Sequence, residues 1–203
     1  MAPIQIADPL PVTVARPMVL MRLGYRRPGQ VPAKTGLLID EVMEAGRALL
    51  RPRAIYGAFD AATPEAGVSL LAGAIRAESR SLHERLLGCR RAILFAATIG
   101  PEADAWIHDL MDRGEMTRGL LADAFASSAA IALGLEVEAL AARVLAAEGL
   151  APTKRHAPGY GDWSLGDQAP LHALLDASRI GITLTDDFLM VPAKSITGVI
   201  GGR

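Results

Sequence analysis

Arg155 is the side chain in this 203-residue chain best suited to grip a small anion. A guanidinium can fork onto a carboxylate in a geometry that lysine does not reproduce. It opens the loop "RHAPGYGDW", where Pro158 stiffens the backbone, Gly159 lets it approach a ligand, and Tyr160 offers a stacking face with a polar tip. The plainer readings are a surface arginine, or one paired with Asp162 or Asp167, and an ordinary Pro-Gly turn with a packing tyrosine. Asp123 is the second candidate. Ala126, Ser127, Ala130 and Gly134 follow it at helical spacing, a stripe of small residues where another backbone or a ligand can come close. A buried carboxylate without a partner is costly. Asp123 is therefore expected to meet a ligand ammonium, an arginine or a helix-start amide, and sequence alone favours a structural partner. Trp163, in a polar Gly-rich loop, reads as an exposed contact for a partner protein, and Trp106 as a helix packing residue. Cys89 sits beside two arginines that could lower its pKa, although a half-buried thiol is the commoner outcome.

These groups must be positioned by helices and short strands. Residues 1–34 carry Pro3, Pro9, Pro11, Pro17, Pro28 and Pro32 and read as an extended arm, with one edge strand within 12–23. Leu38, Val42, Ala45 and Leu49 recur at helical spacing, and Pro52 ends that helix. A short strand follows at 68–75 and a helix at 78–87. The apolar run 92–97 reads as a buried strand, and Pro101, Glu102 and Asp104 suit the start of the next helix. Residues 117–148 form the longest helical pattern, spanning roughly 45 Å, with a break expected near Gly134. After a Gly- and Pro-rich loop come a helix at 169–177 and strands around 182–184, 188–191 and 195–200. The cadence predicts an α+β fold, a small antiparallel sheet surrounded by helices.

Composition narrows the function classes. The chain is 51% hydrophobic and 21% charged with a net charge of −1, so no basic surplus argues for nucleic acid. One cysteine and four histidines without HxxxH or HxH spacing predict neither a disulfide framework nor a zinc site. His156 reads as a loop hydrogen-bonding residue. No secretory signal or run long enough for a membrane span is visible, so a cytoplasmic protein with no membrane partner is expected.

"RHAPGYGDWSLGDQ" at 155–168, followed by "IGITLTDDFLMVPAKSITGVIG" at 180–201, resembles the activation (reactivation) domain of cobalamin-dependent methionine synthase, in its free-standing form. The Arg-x-x-Pro-Gly-Tyr loop, the Gly-x-x-Leu-Thr-acidic segment, the Met-x-Pro turn and the Ser-hydrophobic-Thr-Gly strand carry the likeness. "LFAATIGPEAD" and "LLADAFASSAA" are consistent with it. The resemblance implies that 35–203 form an activation-like domain on which the arm 1–34 packs. It implies a component of the methionine synthase system, serving methionine biosynthesis, rather than a complete enzyme. That component presents S-adenosylmethionine to cob(II)alamin carried by a partner, for reductive remethylation with an electron from a flavodoxin-like or other reductase. It implies that Arg155 binds the ligand carboxylate, Ala157, Gly159 and Tyr160 frame the adenosine, and Asp123 meets the methionine moiety. Asp186 and Phe188 fall at family site positions, Phe188 where the family has a tyrosine. The arm lacks the family's Asp-containing aromatic segment. The second reading is therefore a docking partner of a corrinoid-binding methyltransferase protein that does not itself bind S-adenosylmethionine. An ordinary methyltransferase is disfavoured, because no Gly-rich loop follows a first strand.

Overall fold

A computed structural model describes residues 3–203; residues 1 and 2 of the expected arm lie outside the described residues. In chain order the elements are β1 (Gln5–Ala7), α1 (Arg16–Arg22), α2 (Ala33–Leu49), β2 (Arg53–Glu65), β3 (Val68–Leu71), β4 (Ile75–Glu78), α3 (Arg80–Leu86) and β5 (Arg91–Thr98). Then follow α4 (Glu102–Asp112), α5 (Met116–Ala147), α6 (Gln168–Leu175), β6 (Thr183–Leu184), β7 (Met190–Val191) and β8 (Ser195–Gly202). The main sheet runs β4-β3-β2-β5-β8, every pair antiparallel, with β1 added along β2. β2 serves two neighbours in turn: residues 53–60 pair with β5, and residues 61–65 pair with β3 across a register shift. That shift curls the sheet. β6 and β7 make a separate small hairpin.

The apolar run of β5 resolves into two alternating sets. Ile93, Phe95 and Ala97 face a core built with α2, α4 and α5, whereas Ala92, Leu94 and Ala96 face a second core built with α3 and α6. A strand covered on both faces needs apolar residues at every position, so the run is continuous rather than alternating. Burying each of its large side chains contributes about 1.5–3 kcal/mol. α5 is apolar nearly all round for a related reason, because it packs on α1, α2 and α4 as well as on β5 and β8.

The structure departs from the sequence reading at four elements. The edge strand expected within 12–23 is instead the helix α1; Pro17 lies in its first turn, where a missing N–H costs nothing, and Val19 and Leu20 enter the core. The edge strand is β1, upstream. The single strand expected at 68–75 is a hairpin, β3 and β4. The long strand β2 went unread. α5 runs unbroken through Gly134. Among the described residues, no helix is long and apolar enough to cross a membrane.

Candidate functional site

The loop that follows α5 hangs from the free edge of β8. Residues 151–156 run antiparallel beside that strand: the Thr153 amide donates to Gly201 at 2.8 Å, and His156 and Val199 exchange bonds of 3.0 and 2.8 Å. Gly198 makes this approach possible, since a side chain there would collide with the His156 carbonyl. The segment delivers Arg155 onto α5. Its guanidinium lies against Gly134, where any Cβ would overlap it, and reaches Glu138 one turn on at 3.6 Å. The glycine that sequence reading took for a helix break is thus the seat of the arginine.

Beyond His156 the chain is pinned at three points. The amides of Gly159 and Trp163 donate to Trp163 and Tyr160 carbonyls, and Gly159 turns the backbone at φ +85°. Trp163 is buried, stacks on the His156 ring at 5.7 Å and donates to Asp167 at 2.7 Å. This overturns its reading as an exposed anchor: the acceptor four residues later lets the indole N–H be satisfied inside. Asp162 accepts from the Ser81 and Ser79 hydroxyls at 2.6 and 2.7 Å and from the amides of Ser81 and Arg80 at 3.0 and 2.8 Å. Those bonds, the hydroxyls first, hold its carboxyl well below the usual range. Neither Asp162 nor Asp167 pairs with Arg155. His156 bonds Ser81 Oγ at 3.0 Å, and burial, then the Arg85 charge, push its pKa down.

A groove of about 490 Å3 opens between this loop and the β6–β7 hairpin. Arg155, Ala157 and Tyr160 form one bank, Ser195 and Thr197 line it from β8, and Leu189 and Met190 line it from the hairpin. The volume suits a small organic ligand. Gln168, buried, ties the hairpin down by donating to the Phe188 carbonyl at 2.6 Å. Two buried polar atoms in its walls, Arg155 Nη1 and Ser195 Oγ, have no partner among the described residues. Tyr160 is 68% exposed, its ring free at the rim.

The remaining residues proposed from sequence do not line the groove. Asp123 is held by Lys194, whose Nζ donates to it at 2.7 Å and to Ser127 Oγ at 2.9 Å; the groove-lining Ala193 and Ser195 flank that lysine. Asp186 is exposed at the hairpin tip, and Phe188 adopts φ +63° beside it and stays outside the groove lining. Sequence reading missed Lys194, Ser195 and Gln168. The signal available for Lys194 was its rarity, as one of three lysines, beside the first residue of β8.

An antiparallel sheet clad by helices on both faces, with a ligand-sized groove at the edge of its last strand, defines an α+β module whose C-terminal loop lines that groove. The family model "Vitamin B12 dependent methionine synthase, activation domain" matches residues 90–203, which include β5, α5, the loop and β8. The chain belongs to that family. A crystal structure of the MetH reactivation domain bound to AdoHcy superposes with a TM-score of 0.74 at 17% identity, covering 98% of this chain and 78% of that one. At that identity the likeness shows the fold. No curated protein matches the chain by sequence.

Proposed function

We propose that the groove binds S-adenosylmethionine and that the chain presents it to a cobalamin-binding domain or protein for reductive remethylation, with a flavodoxin-like or other reductase supplying the electron. The ligand contributes an electrophilic methyl group on its sulfonium. The chain contributes binding and orientation. Arg155 takes the amino-acid carboxylate, the backbone at Ala157 and Gly159 with the Tyr160 ring frames the adenosine, and Ser195 Oγ supplies a polar contact. Asp123 acts at one remove by anchoring Lys194, and Phe188, whose carbonyl Gln168 holds, fixes the hairpin bank, with Asp186 at its tip. One observation carries this reading. Arg155 is seated on α5 at the groove wall and engages only Glu138, at 3.6 Å, among the described residues. Its Nη1 is left without a hydrogen-bond partner among the described residues. The AdoHcy bound by the solved reactivation domain supports the ligand class.

Calorimetry with S-adenosylmethionine tests the reading. The chain should bind one equivalent, and Arg155→Ala should weaken binding by about 2–3 kcal/mol, on the order of a hundredfold, with Arg155→Lys restoring little. No binding to the unaltered chain would overturn it. A second reading, docking on the corrinoid protein without S-adenosylmethionine, draws support from the neutralisation of Asp123 by Lys194. It requires capture of a cobalamin-binding protein with an affinity that S-adenosylmethionine leaves unchanged.

A further inference from the structure

A second cavity, of about 510 Å3, opens between α3, residues 152–154 and Arg203, and shares no lining residue with the groove. Arg85, Lys154 and Arg203 bring three cations to it. The one acidic side chain in its lining, Glu84, lies 3.9 Å from Arg80. Asp162 nearby has its oxygens taken by Ser79, Arg80 and Ser81. Among the described residues, none of the three cations forms an ion pair, and Arg85 Nε is buried without a hydrogen-bond partner. Like charges gathered in one concavity repel each other and focus a positive potential there. A buried donor left unmade adds to that cost.

The hydroxyls in the wall are already engaged. Ser81 donates to Asp162, and Thr153 accepts from the Gly201 amide at 2.9 Å. Recognition therefore falls to the cations, and a ligand that settles them must bring concentrated negative charge. We propose that this cavity binds a phosphate group, as the free dianion or as a phosphate monoester. The Arg85 fork gives directed bonds and Lys154 a point charge, the division of labour that suits tetrahedral oxyanions. The space exceeds that of the anion alone, which leaves room for an ester's organic part. Its lining residues are not those of the groove, while Lys154 directly precedes Arg155 and Ser81 bonds the groove-lining His156.

Amide NMR titration of the whole chain tests this, with inorganic phosphate in one arm and glycerol 2-phosphate in the other, at constant ionic strength. Saturable shifts at Ser81, Glu84, Arg85, Thr153 and Lys154 are expected. Tighter binding in the ester arm identifies a phosphate monoester as the ligand; binding of inorganic phosphate alone identifies the free anion. Arg85→Gln and Lys154→Gln should each weaken binding roughly tenfold, and Lys34→Gln, on the distant exposed start of α2, should not. Lys154 is exposed, so its variant carries the test if Arg85→Gln fails to fold. Shifts that do not saturate, that sodium chloride reproduces, or that Lys34→Gln weakens equally would overturn the proposal.

Discussion

Two cations from the C-terminal third land on α5, about 16 Å apart along its axis, and they are held differently. Lys194 reaches Asp123 at 2.7 Å and Ser127 at 2.9 Å, so its charge is met by a carboxylate and a hydroxyl. Arg155 rests on Gly134 and meets Glu138 only at 3.6 Å. The first arrangement is complete without a ligand, and the second is not. Both Asp123 and Arg155 are charged residues beside small ones, which made them look alike in sequence. The difference lies in whether the fold itself supplies the counter-charge.

The largest test removes one arrangement and spares the other. Gly198→Ala would push a methyl group into the His156 carbonyl and detach the segment that carries Arg155, while sparing the Lys194 contacts just ahead of β8. We expect a loss of about 3 kcal/mol in denaturant unfolding, the upper end for overpacking, because the obstacle is backbone. A loss under 1 kcal/mol would mean that the edge segment is not fixed to β8.

The contrast between satisfied and unsatisfied groups extends to two histidines. His156 bonds Ser81, whereas both ring nitrogens of His172 are buried without a partner among the described residues. Burial pushes the His172 pKa down to about 4. The unfolded chain binds a proton near pH 6.5 and the folded chain resists it, so stability is full above pH 6.5 and falls as pH drops toward 4. With allowance for solvent screening at the open side of its pocket, the loss should reach about 2 kcal/mol. His172→Gln should flatten that part of the profile, measured by urea unfolding at stepped pH; an unchanged slope would assign it to other groups.

Legibility followed how local the deciding interaction is. β5 and α5 could be read because their burial is written in consecutive residues, and the strand pieces near 183, 190 and 195 because turn residues separate them. β2 could not: its first half, "RAIYGAF", mixes strand formers with Ala and Gly, whose low strand propensity is overridden by neighbours on both sides. In the site, the loop and Arg155 were visible as types. Their partners were not, because Glu138 and Gly134 lie well upstream, and the Asp123–Lys194 pair spans 71 positions. The misjudged Trp163 teaches the same point, since a polar loop hid an indole whose stacking partner is His156, on the neighbouring edge segment.

Gly134→Ala separates seat from helix. Alanine should add up to about 1 kcal/mol of helix propensity at this position, yet its methyl would occupy the space of the guanidinium. The expected outcome is a thermal midpoint that barely changes and S-adenosylmethionine binding roughly tenfold weaker by calorimetry. Unchanged binding would show that the arginine reaches the ligand from elsewhere.

The smallest effect belongs to the satisfied pair, and it is the one that can break the comparison outright. Asp123→Asn keeps the size of the side chain and leaves Lys194 with an amide oxygen and Ser127 as acceptors. The pair is partly exposed, with 18% and 44% of the two side chains accessible, so its loss should cost about 1 kcal/mol in unfolding. If Asp123 serves only to hold Lys194, affinity for S-adenosylmethionine should change by less than about threefold, under 1 kcal/mol. A fall as large as that of Arg155→Ala would mean that the carboxylate lets go of the lysine when ligand arrives and takes the ligand ammonium instead. The two stretches of α5 around Asp123 and Gly134 would then be a single binding surface, and the lysine a stand-in for the ligand's own positive charge.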